Sequence, residues 1–294
     1  MPRRFVTLDV FTTQALSGNP LAVVLEADGL DDGAMQAIAR EFNLSETVFV
    51  MPPDEPRHRA RLRIFTPTRE LPFAGHPTIG TAILLVLREA RPEWADAVAF
   101  GLEEAVGTIP CVVETGDGGG RARFRLPILP DYLGEAADAA ALAAAFGLAP
   151  DDIGFGRHRP SRHGVGPSFT FVPVASPDRL DAARPGTLAD TSDGFLLYAP
   201  DTAEIGLAFQ ARMFAPALGV AEDPATGSAA AAFAGVLMQF EPLGDGTHDV
   251  AITQGVAMGR PSAIALQVVV QAGGLRSVEI GGAAVIVSEG VLHV

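Results

Sequence analysis

Two stretches of this chain carry the same pattern, about half its length apart. Arg63-Ile64-Phe65-Thr66-Pro67 precedes His76-Pro77-Thr78-Ile79-Gly80-Thr81-Ala82, and Arg212-Met213-Phe214-Ala215-Pro216 precedes Asp223-Pro224-Ala225-Thr226-Gly227-Ser228-Ala229. Each reads R-x-F-x-P, a loop, x-P-x-x-G-[T/S]-A and then a long apolar stretch. Chance could supply either motif alone. Both in one order, each feeding an apolar helix, imply two homologous lobes. A length of 294 residues suits one large domain or two ordinary ones, and the repeat favours two. The boundaries are expected at 1–126, completed by a C-terminal strand at about 283–294, and at 127–282.

Local patterns fill in the lobes. Residues 5–11 and 20–25 read as strands joined by a turn at Ser17-Gly18-Asn19-Pro20. Leu30–Phe42 reads as an amphipathic helix, with Asp31 and Asp32 at its start. Strands are expected at Thr47–Val50 and Arg59–Phe65, a loop at Pro67–Gly75, and a buried helix at Thr78–Ala90. Asp117–Gly120 reads as a hairpin turn before a strand to Leu126, and Pro127–Pro130 as the linker. Ala136–Phe146 and Ala225–Phe240 read as helices. Further strands are expected near 169–175, 194–199, 207–214, 250–256, 262–272 and 276–294. Strands and single helices alternate without a regular βαβ period. The fold class is therefore α+β: two pseudo-symmetric lobes, each a curved, mostly antiparallel sheet around a central helix.

Composition narrows the chemistry. All 21 basic residues are arginine. Without lysine there is no Schiff base, no attached biotin or lipoyl group and no P-loop lysine. Cys111 is the only cysteine, which closes the chain to an internal disulfide, a thiolate cage and any two-thiol mechanism. It reads as a small core residue. A net charge of −14 argues against nucleic acid and against a polybasic membrane anchor. No apolar run is long enough to span a bilayer. The expectation is a soluble cytoplasmic protein with no metal site.

Proline is favoured at the first helical position, so Pro77 and Pro224 mark helix starts to within two residues. Such starts carry unpaired N–H groups that bind anions. If the lobes bring the two starts together, a small carboxylate suits the cleft. Asp223 reads as an N-cap, with or without a further role. His76, at the matching position, is a poor cap and reads as a buried core ring, a general acid or a substrate contact. Glu46 reads either as a solvent-facing turn carboxylate or as a partly enclosed one able to exchange protons near neutral pH. Glu70 reads as structural, and Asn19 as fixing its turn. His158 and His163, in Arg157–Gly166, read as part of a solvated basic loop with no carboxylate nearby. No dinucleotide, GxSxG or HExxH motif is present.

These stretches resemble the phenazine-biosynthesis PhzF-like family, whose fold is that of diaminopimelate epimerase. The matching segments are Asp9–Phe11, Ser17–Val23, Met35–Thr47, Phe65–Thr78, Glu222–Ala229 and Gln254–Ser262. The resemblance implies a cofactor-free isomerase or epimerase acting on a small carboxylate-containing substrate, and a possible homodimer. It places catalytic roles on Glu46, His76 and Asp223. Substrate contacts are placed on Asn19, Ser45, Gly75, Gly227 and Ser228. Relatives of the epimerase type use two cysteines at the helix starts. This chain has Gly75-His76 and Ala225-Thr226 there, so a carboxylate must carry the proton. An amino-acid or imino-acid epimerase and a non-catalytic small-acid binding protein stand as the alternatives.

Overall fold

The computed structural model describes residues 2–89, 97–116, 119–185, 192–216 and 220–294. They form two compact units, residues 1–127 with 281–294, and residues 128–280.

The first unit opens with β1 (Arg3–Val10), β2 (Asn19–Val24), α1 (Asp32–Phe42), β3 (Glu46–Met51), β4 (Ala60–Phe65) and β5 (Glu70–Leu71). It continues with α2 (Gly75–Glu89), β6 (Val98–Glu104), β7 (Gly107–Gly116) and β8 (Gly119–Arg125). Asp31 caps α1 by accepting from Ala34 N, and Asn43 ends it in the left-handed region at φ 52°. Met35, Ile38 and Ala39 of α1 pack on Val24, Phe49 and Phe65. Helix α2 is buried almost to its last turn, because β1, β2, β3, β6, β7 and β8 all contact it. Gly80 makes this possible: a Cβ there would stand 2.7 Å from both Leu21 Cδ2 and Val10 Cγ2.

The second unit runs through β9 (Asp131–Glu135), α3 (Ala139–Phe146), β10 (Ser161–Gly164), β11 (Ser168–Pro173), α4 (Pro177–Ala182) and β12 (Gly194–Pro200). Then come β13 (Leu207–Ala215), β14 (Val220–Asp223), α5 (Gly227–Phe240), β15 (Gly246–Gln254) and β16 (Ser262–Gln271). The last strand, β17 (Gly274–Leu292), begins here, and its later residues pair with β1 in the first unit. Leu142, Phe146, Val172, Leu180, Phe195 and Phe214 form part of its core.

The pairing orders of the two units match step for step. β1–β2 and β10–β11 are antiparallel, β2–β3 and β11–β12 parallel, and β3–β4 and β12–β13 antiparallel. β4 then pairs antiparallel with β5 and parallel with β6, as β13 does with β14 and β15. The repeated residues have matching roles. Arg63 holds Glu70 through two bonds and stands over the Phe65 ring; Arg212 holds Glu222 and stands over Phe214.

Several elements depart from the sequence reading. The described strand pairings are mostly antiparallel, as expected, but the sheet is mixed: each parallel pair is bridged by a helix, which returns the chain to the end it left. The expected loop Pro67–Gly75 contains β5, and α3 starts three residues late because Asp138 caps it. α5 starts at Gly227, three residues after Pro224. Asp117 and Gly118 of the expected hairpin turn, and Ala90 at the expected end of the buried helix, lie outside the described residues; Gly119 and Gly120 belong to β8. Among the described residues no helix is long and apolar enough to cross a membrane.

Candidate active site

Glu46 owes its position to the end of α1. The left-handed Asn43 closes the helix, its N–H bonded to Ala39 O, and β3 starts at Glu46, in register with Leu21 of β2. His76 is the second residue of α2 and only 3% exposed. The two meet: His76 Nε2 lies 3.4 Å from Glu46 Oε2. Burial pushes the His76 pKa down to about 3, so the ring is neutral near neutral pH. The contact is one between a carboxyl group and a neutral imidazole.

Ser45 is half-buried just before Glu46, and Asn19, the first residue of β2, is fully buried. Gly75 is the buried first residue of α2, so its amide is among the helix N–H groups without an intrahelical acceptor.

Asp223, Gly227 and Ser228 belong to the second unit. Asp223 ends β14 and is not the N-cap of α5; Thr226 takes that place. Instead, Thr226 Oγ1 donates to Asp223 Oδ2 at 2.6 Å. Gln254 ties the loop together. Its Nε2 donates to Asp223 O at 2.8 Å and to Thr226 Oγ1 at 3.1 Å, and its Oε1 accepts from Thr226 N at 3.2 Å. Gly255 then turns away at φ 78°, where a Cβ would stand 2.6 Å from Pro224 O. Gln254 lies in a motif shared with the family, but its role needs a partner far away in sequence.

The reading of His158 and His163 as a solvated loop is overturned: both are 2% exposed. His158 stacks on Phe155, its Nδ1 is 2.8 Å from Tyr198 Oη, and its Nε2 is 2.8 Å from Glu241 Oε1. Burial lowers its pKa against the pull of Glu241. His163 lies in β10 with its Nδ1 against Gly235 of α5, where a Cβ would come within 2.6 Å. Cys111 is buried in β7.

The model of the phenazine biosynthesis-like family matches residues 8–290, and the chain belongs to that family. It is an isomerase, like its relatives. An uncharacterized isomerase of Mesorhizobium japonicum is 49% identical over 302 residues, covering 99% of each chain. The trans-2,3-dihydro-3-hydroxyanthranilate isomerase of Pseudomonas aeruginosa is 39% identical over 261 residues, covering 88% of each. The crystal structure of a PhzF-family phenazine biosynthesis protein from Bacillus anthracis matches with a TM-score of 0.87 at 25% identity, covering 100% of both chains.

Proposed function

We propose that this isomerase works without a cofactor and moves a proton on a small carboxylate-containing substrate, an amino- or hydroxy-acid-like molecule. The observation that carries the reading is the Glu46–His76 contact at the first turn of α2. Glu46 removes a proton from a carbon activated by the substrate's unsaturation and returns one elsewhere. His76, neutral through burial, offers an uncharged ring nitrogen beside that carboxyl, fit to orient it or to pass a proton on. The Gly75 amide, with those of Gly227 and Ser228, holds the substrate carboxylate and stabilises developing negative charge. Asp223 orients the amino or hydroxyl group; its side chain is already set by Thr226. Asn19 and Ser45 complete the substrate contacts. Each lobe is proposed to have the curved sheet around a central helix of the diaminopimelate epimerase-like fold.

The family relative named for trans-2,3-dihydro-3-hydroxyanthranilate gives the first substrate to try. Turnover in deuterated water, read by NMR, should place solvent deuterium on the product. General acid–base catalysis contributes about 10²–10⁴-fold, so Glu46→Gln should slow incorporation by at least about 100-fold. Turnover at the wild-type rate in that variant removes Glu46 as the base.

A further inference from the structure

Thr78, in the first turns of α2, is fully buried between two oxygens. Its Oγ1 is 2.7 Å from the Ala74 carbonyl oxygen and 2.6 Å from Glu104 Oε1 at the end of β6. Both are hydrogen-bond distances. A hydroxyl carries one hydrogen and a carbonyl none. Thr78 satisfies one neighbour, and the second bond needs a hydrogen from the other side. Only Glu104 can bring it. Thr78 therefore donates to Ala74, and Glu104, as a carboxylic acid, donates to Thr78. Glu104 Oε2 fits this assignment. It is buried with no hydrogen-bond partner among the described residues, which suits the carbonyl oxygen of a neutral acid and not a bare ionised one.

The charges around Glu104 leave it unneutralised. Cys111 faces it from β7 as a buried thiol whose proton is held more firmly than usual, and His76 on α2 is neutral. On the other side is a pocket of about 400 Å³, which Glu104 helps to line. Arg61 and Arg63 of β4 reach that pocket. Arg63 is engaged by Glu70 and Asp32, and Arg61 faces Asp54 at 3.7 Å. Glu103 is engaged by His58 and by the N–H groups of Asp54 and Glu55.

The far end of this chain of bonds is the Ala74–Gly75 peptide. A trans peptide is planar, with its N–H antiparallel to its C=O. Whatever fixes the Ala74 carbonyl therefore aims the Gly75 N–H, and His76 follows directly. We infer that Glu104 is a protonated positioning residue, which through Thr78 and the Ala74 carbonyl aims the Gly75 amide at the substrate carboxylate and loosens it on ionising, when only the longer Thr78 N–H bond at 3.3 Å still holds that carbonyl. Burial raises the Glu104 pKa to about 8, so this release falls in a reachable pH range.

The inference rests on the proposed role of Gly75, and its test does not need turnover. The full chain is labelled with carbonyl-¹³C alanine and ¹⁵N glycine, and the Gly75 amide is followed by NMR from about pH 6 to pH 10. Its shift should titrate with a midpoint near 8 in the wild type. It should stay flat in Glu104→Gln, whose amide still donates to Thr78 and cannot ionise. Thr78→Val, which cuts the relay, should also abolish the titration, and it decides the matter alone if Glu104→Gln does not fold. A Gly75 amide that ignores pH, or one that titrates unchanged in either variant, overturns the inference. Where the proposed substrate turns over, kcat/KM should fall about tenfold from pH 7 to pH 9 in the wild type and not in Glu104→Gln. Absence of turnover counts against the reaction proposed above and leaves the amide titration to decide this one.

Discussion

Arg212→Met tests whether the repeated arginine is worth the same in both units. The Arg212 side chain is 8% exposed and its partner Glu222 is 16% exposed. Its Nε and Nη2 reach Glu222 at 2.8 and 2.9 Å, and its Nη1 donates to the carbonyls of Leu180, Asp181 and Ala183 at the end of α4. Methionine keeps the apolar stem and removes every donor. Glu222 is then left nearly buried without its cation, which typically costs about 3–5 kcal/mol. Arg63 has the same motif in wetter surroundings: Glu70 is 40% exposed and Asp32 is 84% exposed. Exposed pairs contribute about 0–1 kcal/mol each, so Arg63→Met should cost about 1–2 kcal/mol. Urea unfolding followed by circular dichroism at pH 7 measures both. The double variant Arg212→Met with Glu222→Leu should recover the part of the loss due to the stranded charge, while the carbonyls of Leu180, Asp181 and Ala183 still lack their donor. Equal costs for the two arginines, or a double variant no better than the single, would refute the reasoning.

His76 and Glu104 predict opposite pH dependences of stability. The His76 pKa falls from 6.5 to about 3 on folding, so between those values the unfolded chain binds the extra proton. Its contribution is present above about pH 6.5 and drains away toward pH 3, by several kcal/mol. The stability gap between wild type and His76→Asn should shrink over that window in denaturation curves taken at successive pH values. Glu104 has its pKa raised from 4.5 to about 8, so its contribution is full below pH 4.5 and is lost as pH rises through 8. Glu104→Gln should therefore gain on the wild type across that range. In the core, Gly80→Ala should lower stability by about 1–3 kcal/mol, because its methyl meets Leu21 and Val10 at 2.7 Å; an unchanged melting temperature would mean that α2 is more loosely seated.

Where signals were local, the sequence was readable. The α1 stripe of Met35, Ile38 and Ala39 and its acidic start follow from a period of 3.6 residues and an N-cap. Strands β2, β3, β11 and β12 fall within a residue or two of their expected spans. Where one element's character is set by a distant one, local reading failed. Arg157–Gly166 looks solvated because arginines crowd its sequence, yet Tyr198, Glu241 and Gly235 enclose its two histidines. Glu104 drew no reading from the sequence, and only its contact with Thr78, remote in the chain, sets it apart. Pro224 read as a helix start, but Gln254 holds the following residues in a loop until Gly227.

By itself the sequence determined that the chain is built twice from one pattern, that lysine and paired-thiol chemistry are closed to it, and that Glu46 and His76 stand beside element starts. Those facts depend on residue type and on spacing along the chain, which folding does not alter. Tertiary structure decided that Glu46 touches His76, that the ring is neutral and that Glu104 keeps its proton. Proton affinity depends on how much water a group loses and which atoms replace it, and those atoms come from segments remote in the chain.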